Sequence, residues 1–232
     1  HRKEKYKDDQ IFRFRPRKNM DVNGFFMCDE GRLSYHNENK HRFEIALLDN
    51  DASDFRNTMT QFFKYLSTEK DILFVISPNL SIEEMRNVNN LASKLNASIS
   101  AYSPDTYDEN FGDDYLRNSD RSTNRKALKE IEINEDASYF KSSLAKASLV
   151  IIVDNNYFDN NVALLEAKKV ISMFTHLCST IEKSDIAIPI ASFYEKSGTY
   201  INTDGIKQKV VTKMKKDNTA ETITSIIEHL KE

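Results

Sequence analysis

The stretch Leu149-Val150-Ile151-Ile152-Val153 is apolar at every position, which is typical of a strand that is covered on both faces of a sheet. Similar short apolar runs predict further strands at Glu44–Leu48, Ile72–Ser77, Ser98–Tyr102, Ile171–Thr175 and Ile186–Ile188. Amphipathic stretches alternate with these runs from Phe43 onward, as they do in βα units. We therefore predict an α/β fold in three layers, with a mostly parallel sheet and helices on both of its faces.

The segments between the predicted strands carry helical signals. Apolar residues from Phe55 to Leu66 recur with the 3.6-residue period, and Asp51 or Ser53 is available as the N-cap. Ser81 and Glu84 have the spacing of a capping box, which predicts a helix that runs through Leu95. Three further helices are predicted at Tyr139–Lys146, Asn161–Lys169 and Thr219–Leu230.

The chain divides by composition near residue 42. Residues 1–42 are basic and polar, and the alternating Ile11–Arg15 predicts a short strand that ends at Pro16. We interpret residues 1–42 as an N-terminal extension and residues 43–232 as the α/β domain. The polar segment Pro104–Glu135 is a long excursion from the sheet and is expected to line a functional surface.

The composition excludes several classes of function. The net charge of −3 gives no reason to expect nucleic acid as a partner, because a phosphate-binding surface usually needs a basic excess. The longest apolar runs are far below the roughly 20 residues that a membrane-spanning helix needs. No signal-peptide pattern opens the chain, and the missing initial Met predicts a fragment. Two cysteines, Cys28 and Cys178, fit a reducing compartment such as the cytoplasm.

The sequence lacks the common motifs of nucleotide, zinc and acid–base sites. Its five glycines form neither a P-loop nor a GxGxxG turn, so a nucleotide-binding function is not expected. His176 and Cys178 lie close in sequence, but two residues cannot complete a tetrahedral zinc site. We interpret both as ordinary loop and core residues. No general acid and base stand out among the carboxylates.

Two segments are hard to explain by propensity alone, namely Pro16–Arg32 and Asp185–Gln208. Both can be interpreted as turn-rich connections whose glycines permit left-handed backbone. We expect Glu195–Gln208 to form a compact turn-and-strand unit at the carboxyl edge of the sheet. Gly198 and Gly205 should be the residues that need special backbone angles or close approach.

Both segments resemble the large iron–sulfur subunit of NADH–quinone oxidoreductase, the respiratory complex I of bacteria. The first is similar to its Pro-Arg-x-Asn-x-x-Val-Asn-x-x-x-x-Cys-Asp-x-Gly-Arg stretch. The second is similar to its Ala-Asp-x-x-Leu-Pro and Glu-x-x-Gly-Thr-x-x-Asn-x-Glu-Gly-Arg-x-Gln stretches. The positions of the second stretch that carry the likeness here are Ser184, Asp185, Pro189, Glu195, Gly198, Thr199, Asn202, Asp204, Gly205, Ile206 and Gln208. Asp120–Leu128 is more weakly similar to an Asp-x-x-Pro-Asn-x-x-Gly-Ala run.

The resemblance implies a molybdopterin-oxidoreductase-like fold of the formate dehydrogenase domain type, without its chemistry. Cys28 holds the position of an iron–sulfur ligand, but residues 1–27 contain no cysteine, so no [4Fe–4S] cluster and no other metal is expected. Ile206 stands where the family usually has Arg. We expect no catalytic residue, no cofactor in this chain, and a polar pocket near Asn23, Arg32 and Asn202. The vestigial cofactor-binding positions are Asn23, Arg32, Gly198, Thr199, Asn202 and Gly205.

The resemblance also implies a place for the chain. We expect a structural and interaction domain in the peripheral arm of NADH–quinone oxidoreductase, whose other subunits are its partners and whose missing N-terminal part carries the iron–sulfur clusters. This location is cytoplasmic, peripheral to the inner membrane and in contact with it only through the complex. One alternative is a fragment of a molybdopterin-dependent, formate dehydrogenase-like enzyme that contacts a pterin. A second alternative is an unrelated α/β binding module.

Overall fold

The computed structural model of the chain describes residues 11–212 and 220–230. The strands are β1 (Leu47–Leu48), β2 (Asp51–Ala52), β3 (Ile72–Ile76), β4 (Ser98–Ser100), β5 (Leu149–Val153), β6 (Lys169–Phe174), β7 (Ile186–Pro189), β8 (Gly198–Ile201) and β9 (Lys207–Val210). The helices are α1 (Asp29–Leu33), α2 (Tyr35–Glu38), α3 (Phe55–Thr68), α4 (Ile82–Lys94), α5 (Arg125–Ile131), α6 (Ala137–Lys146), α7 (Ser179–Glu182) and α8 (Ile223–His229). Of the predicted elements and domains, residues 1–10, 213–219 and 231–232 lie outside the described part.

Seven strands form one sheet in the order β2-β1-β7-β6-β5-β3-β4. The five strands β3 to β7 pair in parallel, whereas β1 pairs antiparallel with both β2 and β7. The predicted strand Glu44–Leu48 is therefore wrong in extent, because only Leu47 and Leu48 pair within the sheet. The predicted α/β class with a mostly parallel sheet is confirmed.

Hydrophobic residues of β5 point alternately into two cores, one on each face of the sheet. Leu149, Ile151 and Val153 lie in the larger core with side chains of α3, α4, α5 and α8. Val150 and Ile152 lie in the smaller core with side chains of α6 and α7. All five residues are fully buried. Helices thus cover both faces, which confirms the three-layer prediction.

Helix boundaries follow local capping chemistry. The capping box is present, since the Ser81 hydroxyl accepts from the Glu84 amide and the Glu84 carboxylate accepts from the Ser81 amide. Helix α3 begins after Asp54, whose carboxylate accepts from the Asn57 amide, so the predicted N-caps Asp51 and Ser53 are wrong.

Two other predictions need correction. The predicted helix Asn161–Lys169 is a single 3₁₀ turn at Val162–Leu165, and Lys169 already begins β6. The sequence offers only a short apolar run there, too little to sustain an α-helix. The excursion Pro104–Glu135 is also more ordered than expected, because it contains α5 and a 3₁₀ turn at Pro104–Thr106.

The predicted strand Ile11–Arg15 is wrong, because these residues belong to no strand of the described chain. Burial alternates only from Phe12 onward, with Phe12 and Phe14 half-buried and Arg13 and Arg15 exposed, whereas Ile11 is buried. Ile11 is held by the side chain of Asn39, which accepts from the Ile11 amide at 2.9 Å and donates to its carbonyl at 2.7 Å. A side chain therefore supplies the hydrogen bonds that a neighbouring strand would otherwise provide.

Among the described residues, no helix combines the length and the apolar character that crossing a membrane requires.

Candidate functional site

A cleft of about 1130 Å³ lies at the carboxyl edge of the parallel strands. In the sheet, β4 lies on one side of β3 and the next strand, β5, lies on the other side, so the strand order reverses at β3. Such a reversal is a topological switch point, and open α/β sheets bind ligands at the carboxyl edge beside it. Residues that directly follow the strands form its floor, namely Asn79, Asp154, Asn156, Thr175, His176, Cys178 and Ser192. The hairpin β8–β9 and the segment before α1 contribute to its walls.

Asp154, on the floor of the cleft, has an unusual backbone conformation. Its φ of 52° is left-handed, a conformation that costs energy for most residues and less for Asp or Asn. Its amide donates to the Met173 carbonyl at 2.8 Å, and its carboxylate accepts from the Thr175 hydroxyl at 3.4 Å. Burial raises the pKa of the Asp154 carboxyl, and the nearby charge of Lys196 opposes this rise.

His176 connects the floor to helix α2. Its Nδ1 lies 2.8 Å from the Thr175 hydroxyl, and its Nε2 lies 3.4 Å from the Glu38 carbonyl and 4.0 Å from the Glu38 carboxylate. Burial lowers the pKa of His176, and the charge of Arg42 lowers it further. Burial raises the pKa of Glu38, whose carboxylate accepts from the Ser192 hydroxyl at 3.2 Å. Asp154, Thr175, His176 and Glu38 thus form one connected polar row.

Cys178 lies in the same cleft, in surroundings that favour the protonated thiol. It is half-buried and unoxidised. Burial, followed by the charge of Asp159, raises the pKa of Cys178 to about 12. The interpretation of His176 and Cys178 as ordinary loop and core residues is therefore incomplete, because both line the cleft. The described residues contain no group of three or more potential metal ligands.

A buried ion pair between Lys196 and Glu84 lies at the cleft. The Lys196 ammonium lies 2.7 Å from Oε1 of Glu84, and the side chains are 8% and 4% exposed. The other Glu84 oxygen accepts from the amide and the hydroxyl of Ser81, both at 2.9 Å. Because the Glu84 carboxylate neutralises it, Lys196 adds little positive charge to the cleft that it lines.

The hairpin β8–β9 begins where the second sequence motif predicts a turn-and-strand unit. Gly198 lies so close to α4 that a Cβ atom on it would come within 2.5 Å of Ser81 Cβ. Gly205 has a φ of 86°, which favours glycine. Both expectations for these glycines are confirmed.

Polar side chains of the same motif have local structural roles. The Thr199 amide and hydroxyl donate to the Glu83 carboxylate at 2.8 and 2.7 Å, which ties the hairpin to the first turn of α4. Asn202 accepts from the amides of Asp204 and Ile206 and so shapes the turn. These polar residues of the motif therefore shape the turn of the hairpin and attach the hairpin to α4. Such roles agree with the interpretation of the motif as a turn-rich connection.

Asn124, from the weaker third motif, anchors the hairpin from the other side. It is fully buried, and its Nδ2 donates to the Leu80 carbonyl at 2.7 Å. Its Oδ1 accepts from the Ile201 amide at 2.7 Å. One side chain therefore joins the segment before α4, the start of α5 and β8, a role that the sequence did not indicate.

The first motif folds into a turn followed by α1. The Asn19 carbonyl accepts from the amides of Asn23 and Gly24, and Gly24 has a φ of 56°. Cys28 caps α1, where its sulfur accepts from the Gly31 amide at 3.4 Å. Arg32 pairs with Asp29 at 3.7 Å and is half-exposed.

The expected polar pocket is present, with Asn23 and Asn202 in its walls. Arg32 is not among the lining residues. Among the lining residues that sequence reasoning missed are the charged or polar Glu38, Asp154, Ser192 and Lys196. For Asp154 a signal exists, because polar residues directly after a buried parallel strand fall at the ligand-binding edge.

The lining of the cleft is acidic. Its carboxylates are Glu38, Asp120, Asp154 and Asp159, whereas its only Lys or Arg residues in the described chain are Arg17 and Lys196. Asp120 is paired with Arg125 at 3.1 Å, and Lys196 is paired with Glu84. An environment of this kind favours cationic or neutral groups over anionic ones.

Comparisons with known proteins agree with this architecture. Residues 159–230 match the model of the molybdopterin oxidoreductase family, a region that spans β6 to β9 and α8. No curated protein matches the chain. Its fold is similar to a chain of the formyltransferase/hydrolase complex from Methylorubrum extorquens, solved in complex with methylofuran. The TM-score is 0.55 at 8% identity, over 80% of this chain and 97% of that one. The chain thus has a molybdopterin-oxidoreductase-like α/β fold, and its residues 159–230 carry the sequence pattern of the molybdopterin oxidoreductase family.

Proposed function

We propose that this chain is a cofactor-free, non-catalytic domain that acts as a structural and interaction unit of a multi-subunit oxidoreductase. The NADH–quinone oxidoreductase subunit that its motifs resemble is the specific candidate. The acidic lining of the cleft is the observation that carries the proposal. The matched family implies a molybdopterin cofactor, and the lining of the cleft decides whether this chain could bind one.

Molybdopterin carries phosphate, and a phosphate site needs Lys or Arg side chains, helix N-termini or free backbone amides. The cleft offers four carboxylates, of which only Asp120 is paired with an arginine in the described ion pairs, and its Lys196 is already neutralised by Glu84. The exposed cation Arg17 remains, and its guanidinium donates to the Lys209 carbonyl at 3.4 Å. These residues do not fit a phosphate-bearing cofactor.

The motif residues support the same proposal. Thr199, Asn202 and Gly205 are engaged in building the hairpin, and Asn23 donates to the Phe26 carbonyl at 2.6 Å. Cys28 is engaged as a helix cap. Positions that would hold a cofactor in the family therefore serve the local fold in this chain.

Two observations bear on the interaction role and on the alternatives. The similar fold in the formyltransferase/hydrolase complex belongs to a chain of an assembly, which supports a fold that is used between subunits. The match of residues 159–230 argues against an unrelated α/β module. A pterin-binding enzyme fragment remains the second candidate, favoured by the position of the cleft at the switch point.

The cofactor content separates the two candidates. Anaerobically purified protein should contain no stoichiometric molybdenum, tungsten, iron or sulfide by elemental analysis. Oxidative extraction should yield no pterin fluorescence. A stoichiometric pterin signal would overturn the proposal and support the enzyme, and stoichiometric iron and sulfide would assign a cluster to Cys28.

The interaction role needs a separate measurement. On a non-denaturing gel of host extract, a chain-specific antibody should detect a band far larger than the chain, and that band should stain for NADH dehydrogenase activity. Migration as a free chain would contradict the role in an assembly. A large band without this activity would keep the role and reject the specific complex.

A further inference from the structure

We infer that the segment before α1 forms a second functional surface, which binds directly to an anionic lipid bilayer. The surface, called here the basic–aromatic strip, consists of Arg13, Arg15, Arg17, Lys18, Met20, Phe25 and Phe26. The inference does not depend on the proposed function, because only Arg17 of the strip also lines the cleft and the other six side chains do not.

The cations of the strip all face solvent. Residues 13–18 read Arg-Phe-Arg-Pro-Arg-Lys and contain no acidic residue. Phe14 turns inward, with its ring centroid 5.7 Å from that of Phe193, whereas Arg13, Arg15, Arg17 and Lys18 are exposed. Within the part of the chain that the structure describes, none of these four cations pairs with a carboxylate.

Large apolar side chains are exposed in the same segment, and one of them contacts Lys18. Met20, Phe25 and Phe26 are 70%, 61% and 66% exposed, far more than such side chains need to be. The Lys18 ammonium lies 5.0 Å from the centre of the Phe25 ring, so the basic and the aromatic parts of the strip are in contact. The left-handed turn at Gly24 places Met20 and the two phenylalanines around one reversal of the chain.

This combination matches the interface of an anionic bilayer. Aromatic and apolar side chains insert at the boundary between headgroups and acyl chains, and adjacent cations attract the phosphate or carboxylate headgroups. The amide hydrogen bonds to the Asn19 carbonyl hold the reversal that bears them. The net charge of −3 would repel such a surface, so the local basic strip must supply the attraction.

Vesicle co-sedimentation of the full chain tests the inference. Vesicles of phosphatidylcholine mixed with phosphatidylglycerol should bind the chain at low salt and release it as salt is raised. Vesicles of phosphatidylcholine alone should not bind it. The double variant Arg13→Gln with Arg15→Gln and the double variant Phe25→Ser with Phe26→Ser should each weaken binding about tenfold or more, because each Lys or Arg and each buried apolar group contributes separately.

The matched control is Tyr115→Ser with Leu116→Ser, which removes two exposed apolar side chains beside the carboxylates of Asp113 and Asp114. It should bind anionic vesicles like the unaltered chain. All of the replaced side chains are exposed, and circular dichroism checks that each variant is folded. Absent binding at low salt, or binding that neither strip variant weakens, would overturn the inference and leave the strip to an acidic protein surface.

Discussion

At the scale of single residues, Lys196 and Glu84 form a buried ion pair beside the cleft. The two side chains are 112 positions apart in sequence and 2.7 Å apart in space. A buried pair adds little stability relative to an apolar pair, but removal of one partner leaves an uncompensated charge. The contact therefore fixes where the hairpin segment meets α4.

The replacement Lys196→Met should destabilise the chain by about 3–5 kcal/mol, because Glu84 would remain charged and buried. Urea unfolding followed by circular dichroism measures the change in free energy. The control Lys207→Met removes a half-exposed partner of Glu130 and should cost about 1 kcal/mol or less. Adding Glu84→Gln to Lys196→Met should recover part of the loss. Equal effects of the two single replacements would contradict the buried character of the pair.

Asp154 gives the cleft a pH dependence. Its folded pKa is raised above the ordinary value of 3.8, chiefly by burial. The protonated carboxyl is thus favoured by folding, so this stabilisation is fully present below the unfolded pKa and is lost as the pH rises through the folded pKa. Glu38 acts in the same direction, whereas the lowered pKa of His176 removes stability as the pH falls.

The replacement Asp154→Asn should remove the loss of stability that Asp154 causes as the pH rises. It should keep the left-handed backbone, which Asn tolerates well. The variant should gain stability relative to the unaltered chain as the pH rises through the window between the unfolded and the folded pKa of Asp154. The gain should be about 1.4 kcal/mol for each pH unit between the unfolded and folded pKa values. Urea unfolding at a series of pH values measures the difference. A difference that stays constant with pH would show that Asp154 does not titrate in this window.

At the scale of elements, the strands were the most predictable part of the chain. β3 and β5 are continuous apolar runs, and a strand buried on both faces leaves this mark directly in the sequence. Helix α4 was predictable because its capping box is local. The short β2 and the 3₁₀ turn at Val162–Leu165 were not, since their hydrogen bonds depend on tertiary neighbours and not on local periodicity.

The hairpin β8–β9 shows why the candidate site was only half predictable. Its turn glycines could be recognised from the sequence, because a positive φ or a close approach restricts a position to glycine. The partners of the hairpin could not, since Glu83 and Asn124 lie 116 and 77 positions away from Thr199 and Ile201. Spacing along the chain carries no information on such contacts.

The replacement Asn124→Ala should loosen the hairpin more than it disturbs the sheet. It would leave the Ile201 amide and the Leu80 carbonyl without their partner in a buried site, at a cost of about 2–4 kcal/mol. Hydrogen–deuterium exchange should become faster across residues 198–210 while β5 stays protected. The exposed Asn118 lines the same cleft, and Asn118→Ala is the control that should change neither. Uniform loss of protection would mean that the hairpin and the sheet unfold together.

At the scale of the whole molecule, hydrogen bonds and ion pairs join the segment before residue 43 to the α/β domain. Arg42 pairs with Glu195 at 2.6 Å, the Leu177 amide donates to the His41 carbonyl, and the Ser192 hydroxyl donates to the Glu38 carboxylate. The residues of both hydrophobic cores come from Phe43 onward. The boundary between extension and domain near residue 42 stays a prediction, and a deletion can test it.

A chain that lacks residues 1–40 should still unfold in one cooperative transition, because it keeps both cores and the Arg42–Glu195 pair. It should lose about 2–3 kcal/mol, mainly from the burial of Ile11 and the contacts of Glu38 with Ser192 and His176. Thermal unfolding by calorimetry, compared with a chain that lacks only residues 1–10, measures both quantities. A broad transition without a calorimetric peak would contradict this prediction. It would show that the α/β domain does not fold cooperatively without the N-terminal extension.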